Sequence, residues 1–401
     1  MKGFRMLKVA VLSRHNLSRL EPGDKVHTYD KIMALAKQTP VTLFTPCGHA
    51  SRSMQPLMKI VEFSSPGLCF ALALIVALFA RRKDYDCIYS RDPLLMALAV
   101  PAKALGKAMI IEMNGIPSLE TEIRRRTRKV RAPILTPFIC GIMRLAEAFA
   151  IRCADLVLPV TEKMRTTIIR DYGANPGKVM VVPNSVDTAV FRVLEDKRGE
   201  IRRALRIERE TVVLYLGTFS AEWRRTGLLF QVADDVLHKR TDIAFLVVGT
   251  GPLLAEIEPM IEGHRALNRV LFVGAVDHHL VPFYINAADV YVYDVTNVEN
   301  ELVQKQGLCP TKILEAMACG KPVIAAKEPE LEGLLHRSNG GFSASSLPEI
   351  ESLIERFADS AELARSTGAN ARRYVELNHD LTCLTKLTVE LISEVVSSRK
   401  S

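Results

Sequence analysis

Short apolar runs alternate with helical patterns along this chain, and the alternation comes in two series. In the first half, Leu7–Leu12, Val41–Phe44, Cys87–Ser90, Ala108–Met113, Leu156–Val160 and Val179–Pro183 read as strands. Helical spacing fills several of the gaps, at Val26–Lys37, Pro93–Leu105 and Thr161–Tyr172. Strands separated by helices of about ten residues or more imply βαβ units and a parallel sheet. The second series has strands at Thr211–Gly217, Ile243–Gly249, Val270–Gly274, Val290–Tyr293 and Pro322–Ala326. Its first three strands end on Gly just before a loop. In open α/β sheets, ligands sit at the carboxyl ends of strands, where a residue without Cβ lets the backbone come close. Residues 347–378 and 381–398 read as helices closing the chain.

A chain of 401 residues is too long for one ordinary α/β core, so the two series imply two domains of about 200 residues. The stretch Phe191–Glu210 is charged and has no β pattern. The expected division is a first domain at 1–190, a linker with an exposed helix at 191–210, a second domain at 211–375 and a C-terminal helix at 376–401.

Apolar residues make up 48% and charged residues 24%, which excludes a disordered chain. The eight cysteines show no CxxC or CxH spacing, so they read as reduced thiols of a cytoplasmic protein and not as a zinc site or a disulfide framework. Residues 1–12 lack the apolar core of a secretory signal. The longest apolar run, Leu68–Ala80, is shorter than a spanning helix needs and is followed by Arg81, Arg82 and Lys83. It fits either a buried core helix or an interfacial helix with a basic end.

The net charge of +8 favours anionic partners, although a plain solvated surface is equally consistent with it. A local run, Arg124–Arg131 within IRRRTRKVR, precedes the apolar Ile134–Ile142. Such a pairing suits an anionic membrane surface, with an ordinary solvated face as the alternative. No aromatic interleaving or nucleic-acid fold accompanies it, so no nucleic-acid partner is expected.

The stretch with most chemistry is Gly307–Ala325, GLCPTKILEAMACGKPVIA. Pro310 suits a helix start, with Thr311 and Lys312 in the first turn. Ile313, Leu314, Met317 and Ala318 form the apolar face. Gly320 ends the helix, and Lys321-Pro322 cannot continue it. A helix N-terminus with a lysine beside it is a ready diphosphate site. Glu315 lies one turn further on the same face, where a carboxylate accepts hydrogen bonds from ribose hydroxyls. An ordinary capped helix with a surface Glu is the competing reading.

Glu315–Ile324 resembles the "E-A-M-A-x-G-K-P-V-I" signature of the retaining, GT-B-fold, family 4 type of glycosyltransferase. Leu158–Glu162 with Val181–Phe191, Tyr215–Leu229, Val247–Pro252 (VVGTGP) and Val273–Asp289 resemble further family blocks in the family's order, so the likeness covers nearly the whole chain. It implies an α/β GT-B fold: two Rossmann-like domains with parallel sheets facing across a cleft, and a C-terminal helix packing back toward the first. It also implies transfer of a sugar from a UDP- or GDP-linked donor with retention of configuration, without a metal or resident cofactor. The acceptor is expected to be lipid-linked or a surface-glycan precursor, with the enzyme peripheral to the inner face of the cell membrane.

Carried over by position, the resemblance places Glu315 on the donor ribose and Pro310, Thr311 and Leu308 beside the diphosphate. Gly217, Gly249, Gly251, Val273 and Gly274 line the nucleotide end. Gly23, within Glu21–Lys25, stands where many members have a Gly-rich loop. Asn114, in IEMNG, stands near the position where some members bring a His to the sugar. Arg224, Arg225 and Lys312 would neutralise the leaving diphosphate. The chain departs from the pattern at Gly307, where the family's E-x7-E pair has Glu, and at Thr226-Gly227, where a basic pair is usual. These losses motivate the alternative of a non-catalytic subunit; a nucleotide-sugar epimerase on the same fold is the other rival.

Overall fold

The computed structural model describes residues 6–17, 24–63, 69–127, 136–217, 219, 226–251, 268–293 and 301–399. The chain forms two compact units, residues 1–183 with 381–401, and residues 184–380.

In chain order the first unit contains β1 (Val9–Leu12), α1 (Asp24–Gln38), β2 (Val41–Pro46), β3 (Lys59–Phe63), α2 (Cys69–Ala80), β4 (Cys87–Ser90), α3 (Pro93–Ala99), β5 (Ala108–Met113), α4 (Pro117–Thr127), α5 (Thr136–Cys153), β6 (Leu156–Pro159) and α6 (Glu162–Tyr172). The strands pair in parallel in the order β3-β2-β1-β4-β5-β6. β1, β4, β5 and β6 are buried throughout, as expected for strands covered on both faces. The chain steps toward one edge from β1 to β2 and in the opposite sense from β3 to β4 to β5. Right-handed crossovers therefore put α1 on one face and α2 and α3 on the other. α5 packs against α3 and joins the second layer.

Two strands at sheet edges escaped the sequence pattern. β3, KIVEF, carries two charges because an edge strand is half solvated. Val179–Pro183, expected as a strand, makes only a single bridge from Val179 to Val157. The pairing is one-sided: Met180 and Val182 donate to Val157 and Pro159, and Pro183 has no N–H to continue.

Inside the second layer, α5 buries a carboxyl. Glu147 accepts hydrogen bonds from the backbone N–H and the hydroxyl of Ser118, and the Ser118 hydroxyl also meets Tyr172 at 3.2 Å. Burial pushes the Glu147 pKa up to about 7, against the lowering effect of the Ser118 bonds. A carboxyl whose pKa rises on folding binds more protons folded than unfolded, so stability is lost as pH climbs from its ordinary value to about 7. Glu147→Gln should remove this loss, making the protein more stable than wild type at pH 8 by up to about 3 kcal/mol and equal to it near pH 4. Urea unfolding at the two pH values measures this; an equal difference at both would rule out the titration.

The second unit contains α7 (Glu195–Leu205), β7 (Thr211–Leu216), α8 (Thr226–Lys239), β8 (Ile243–Val248), β9 (Val270–Gly274), α9 (Val281–Ala287), β10 (Val290–Val292), α10 (Glu301–Gln306), α11 (Thr311–Ala318), β11 (Val323–Ala326), α12 (Pro329–Ser338), β12 (Gly341–Ala344), α13 (Leu347–Asp359) and α14 (Ala361–Asn378). Its parallel sheet runs β12-β11-β10-β7-β8-β9, the same arrangement as in the first unit. β12, GFSA, is the second edge strand that the pattern did not show. The long terminal helical region breaks at Ser360, whose side chain caps α14. The last helix, α15 (Leu381–Ser398), belongs to the first unit and packs against α1 and β5.

Residues 191–210, expected as a linker with an exposed helix, are instead part of the second unit. Phe191 and Ile207 are buried in its core. Arg198 and Arg202 on α7 both pair with Asp289, which also accepts from the Val212 N–H. Burial raises the Asp289 pKa, but the two guanidiniums outweigh it and hold the carboxyl below its ordinary value. The side chain of Asn286 accepts from the Leu194 N–H and donates to the Arg192 carbonyl, fixing the approach to α7. The charge pattern that suggested solvent marks a helix that turns Arg198 and Arg202 inward to one carboxylate.

Candidate active site

In the second unit, the sheet reverses its build direction between β7 and β10. A crevice for a ligand opens at the carboxyl ends of strands at such a point. The backbones there are held close together. The Gly217 N–H donates to Val248, Phe219 to Thr250, and Gly249 to Gly274, at 2.8–3.0 Å. A Cβ at Gly249 would stand 1.8 Å from the Gly217 carbonyl oxygen, and one at Gly251 2.2 Å from that of Phe219. Gly217, Gly249, Gly251 and Gly274 are thus brought together, with Val273 in the last turn of β9.

The helix α11 follows with Pro310 at its N-cap and no side chain capping it. Thr311 and Lys312 form its first turn, as the sequence pattern indicates. Its other end closes with Gly320 at φ +71, the Lys321 N–H on the Ala316 carbonyl and the Gly320 N–H on that of Met317. That is a Schellman end, which fixes the helix length from both sides. Glu315 is 4% exposed. A buried carboxylate is retained only where partners meet it, and the imidazole of His278 lies 4.0 Å from it. His278, in the turn after β9, stacks edge-on against Phe191 at 5.6 Å. His278 escaped the sequence reading because its neighbour on α11 is 37 residues away in the chain.

The segment before α11 is pinned by Asn184, whose side-chain amide donates to the Cys309 carbonyl at 2.7 Å. Leu308 packs against the unit's core. Gly307 has φ +66 and its N–H closes α10 on the Val303 carbonyl. A Glu at 307 would meet that left-handed backbone, which favours glycine.

The first unit has its own reversal point, between β1 and β4. A charged cluster is buried beside it. Glu112 on β5 accepts from the Tyr89 hydroxyl, pairs with Arg91 at 3.0 Å and lies 3.6 Å from Lys31. Burial raises the Glu112 pKa, but Lys31 and Arg91 prevail and hold it below the ordinary value. Arg14 pairs with Asp92, the N-cap of α3. Asn114 follows β5, and its side-chain carbonyl oxygen is buried without a hydrogen-bond partner among the described residues. The sequence pattern does not show this cluster, since Lys31, Tyr89 and Arg91 come from separate elements.

Gly23, Arg224 and Arg225 lie outside the described residues. Of Arg124–Arg131, the side chains of residues 124, 125 and 127 and all of 128–131 do too, while Arg126 is exposed and pairs with Glu122.

Comparison with known proteins finds a family match in each half of the chain. Residues 23–190 match the family model described as Glycosyltransferase Family 4, and residues 197–374 match that of Glycosyl transferases group 1. An alpha-D-kanosaminyltransferase of Streptomyces kanamyceticus is 23% identical over 273 residues, 67% of this chain and 66% of that protein. The phosphatidylinositol N-acetylglucosaminyltransferase GPI3 subunit of Saccharomyces cerevisiae is 22% identical over 253 residues, 62% of this chain and 53% of that protein. The matches thus span between about half and two thirds of these relatives' lengths. The solved structure of Anabaena Alr3699/HepE in complex with UDP superposes with a TM-score of 0.73 at 18% identity, covering 97% of this chain and 100% of that one. Two Rossmann-like sheets, the α11 signature and the two family matches agree: the chain belongs to the family 4, group 1 type of glycosyltransferase with the GT-B fold.

Proposed function

We propose that the protein transfers a sugar from a nucleoside-diphosphate sugar to a lipid-linked or surface-glycan acceptor, with retention of anomeric configuration. The observation that carries this is Glu315. It is a buried carboxylate one turn inside α11, 4.0 Å from His278 in the turn that follows the glycine-ended strand β9. A carboxylate so near a helix N-terminus suits one ligand with a ribose and a diphosphate. The carboxylate accepts from ribose hydroxyls, and the helix N-terminus and Lys312 face the phosphates. When the diphosphate leaves, charge develops on its β-phosphate oxygen, and positive potential fixed in advance lowers the barrier. Arg224 or Arg225 adds to that potential. The charge requirement is met by protein groups, so no metal is assigned to the step.

The UDP complex of the Anabaena structure supports a uridine donor, and GDP remains the other base to test. In the first unit, Asn114, whose side-chain oxygen is buried with no hydrogen-bond partner among the described residues, is the candidate to receive a sugar hydroxyl. A lipid acceptor finds support in the yeast relative, whose name specifies phosphatidylinositol.

A thermal-shift panel of UDP, GDP, ADP and their sugar conjugates tests this directly. A ligand that binds only the folded state raises its melting temperature by mass action. One nucleoside diphosphate should raise it, and Glu315→Gln should weaken that ligand by roughly 10–100-fold, the worth of hydrogen bonds to a charged group. No shift with any nucleotide, or an undiminished shift in the variant, would remove the donor assignment.

A further inference from the structure

Two helices of the first unit carry apolar rows that face away from its core. On α5, Phe138, Ile142, Leu145 and Phe149 are 68, 51, 73 and 51% exposed. Their spacing of four, three and four residues sets them in one line, opposite the buried Cys140, Glu147 and Ile151. On α2, Leu72, Val76 and Phe79 repeat the spacing, opposite the buried Leu74 and Leu78. α3 packs against both helices and adds the exposed Leu98. Single exposed apolar side chains are ordinary; two aligned rows in one helical layer mark an interaction surface.

On α2, α3 and α5 themselves the exposed charges have one sign, while Glu120 and Glu122 lie on α4 beside α5. Among α2, α3 and α5 the only acidic residue is Glu147, which is fully buried. Arg144 and Arg152 are exposed on α5, and the exposed Arg81, Arg82 and Lys83 follow α2 directly. A second copy of the chain on this face would set arginines against arginines, since a two-fold interface meets itself. An anionic lipid surface complements both the apolar rows and the cations. No helix among the described residues is long and apolar enough to cross a membrane, so contact through this layer is peripheral.

We infer that the α2–α3–α5 face docks on an anionic lipid bilayer, with the two rows entering the headgroup–acyl boundary and the five cations contacting headgroups. The inference deepens the lipid-acceptor part of the function proposed above and rests on it for its purpose alone. The sequence assigned docking to Arg124–Arg131 and left Leu68–Ala80 with Arg81, Arg82 and Lys83 open as a core or an interfacial helix; the surface argued here takes up the latter and adds α3 and α5.

Flotation of the full chain with vesicles of phosphatidylcholine plus phosphatidylglycerol, and of phosphatidylcholine alone, is the test. The chain should float with the anionic vesicles and less with the neutral ones. Leu145→Glu with Phe149→Glu should lower partitioning at least about tenfold, since each of these side chains is worth more than that when buried. Both positions are exposed, and an unchanged melting temperature certifies that the variant is folded. Wild type that stays unbound with anionic vesicles overturns the inference. So does equal flotation of the variant, or sedimentation showing a dimer that the variant dissociates. A wild type that floats yet shows no nucleotide shift leaves the docking face standing and removes the donor reading instead.

Discussion

Gly249→Ala should abolish nucleotide binding and lower the stability of the second unit by at least about 3 kcal/mol, the range of severe single substitutions. Two costs combine. The residue has φ +138, a conformation that L side chains rarely adopt. Its new Cβ would stand 1.8 Å from the Gly217 carbonyl oxygen and 2.9 Å from the carbonyl carbon. Neither backbone can yield independently, because Gly217 donates to Val248 and Gly249 donates to Gly274. The ends of β7, β8 and β9 must separate, and these ends line the proposed nucleotide site. Gly106→Ala is the control. It too sits at positive φ, +73, but its Cβ meets nothing within 4 Å. That change should cost only about 1–2 kcal/mol, the left-handed penalty alone. Calorimetry on both variants, with and without UDP, decides the matter. A nucleotide-induced shift that survives in Gly249→Ala would mean the donor does not bind at the end of β8.

Glu112→Ala should destabilise the first unit by about 3–5 kcal/mol, because it leaves cations buried without their partner. Lys31 is 5% exposed, and its ammonium also donates to the Thr388 hydroxyl at 3.2 Å. Arg91 also pairs with Glu112 and donates to the Thr28 hydroxyl. In a unit of this size the melting temperature should fall by roughly 10 °C. The double variant Glu112→Leu/Lys31→Met should recover part of that loss, since replacing a buried pair by apolar groups of similar volume is often neutral. If Glu112→Ala costs less than about 1 kcal/mol, the value of a surface pair, the cluster does not hold the sheet at its reversal point.

What could be read from the sequence and what could not divides along physical lines. Local signals were sufficient for elements buried on both faces. β1 and β8 show as continuous apolar runs, and β4, β5 and β7 as apolar runs with one polar residue each, because every residue in them is covered or nearly so. The α11 helix was legible from Pro310 to Gly320 because capping is a property of adjacent residues. Edge strands β3 and β12 were not, since solvation removes the apolar pattern that identifies a strand.

The fate of α7 shows the opposite limit. Its sequence, EDKRGEIRRAL, is polar enough to suggest solvent. Asp289, 87 residues beyond Arg202, turns two of its arginines into the ties that hold the helix on the sheet. The sequence by itself determined two parallel α/β units, the glycines at the strand ends and the helix carrying Glu315, because each depends on short-range periodicity or backbone geometry. Tertiary structure decided that His278 faces Glu315, that Glu112 gathers Lys31, Tyr89 and Arg91, and that the apolar rows of α2 and α5 lie in one layer, because side chains distant in the chain meet only when the sheet order brings them together.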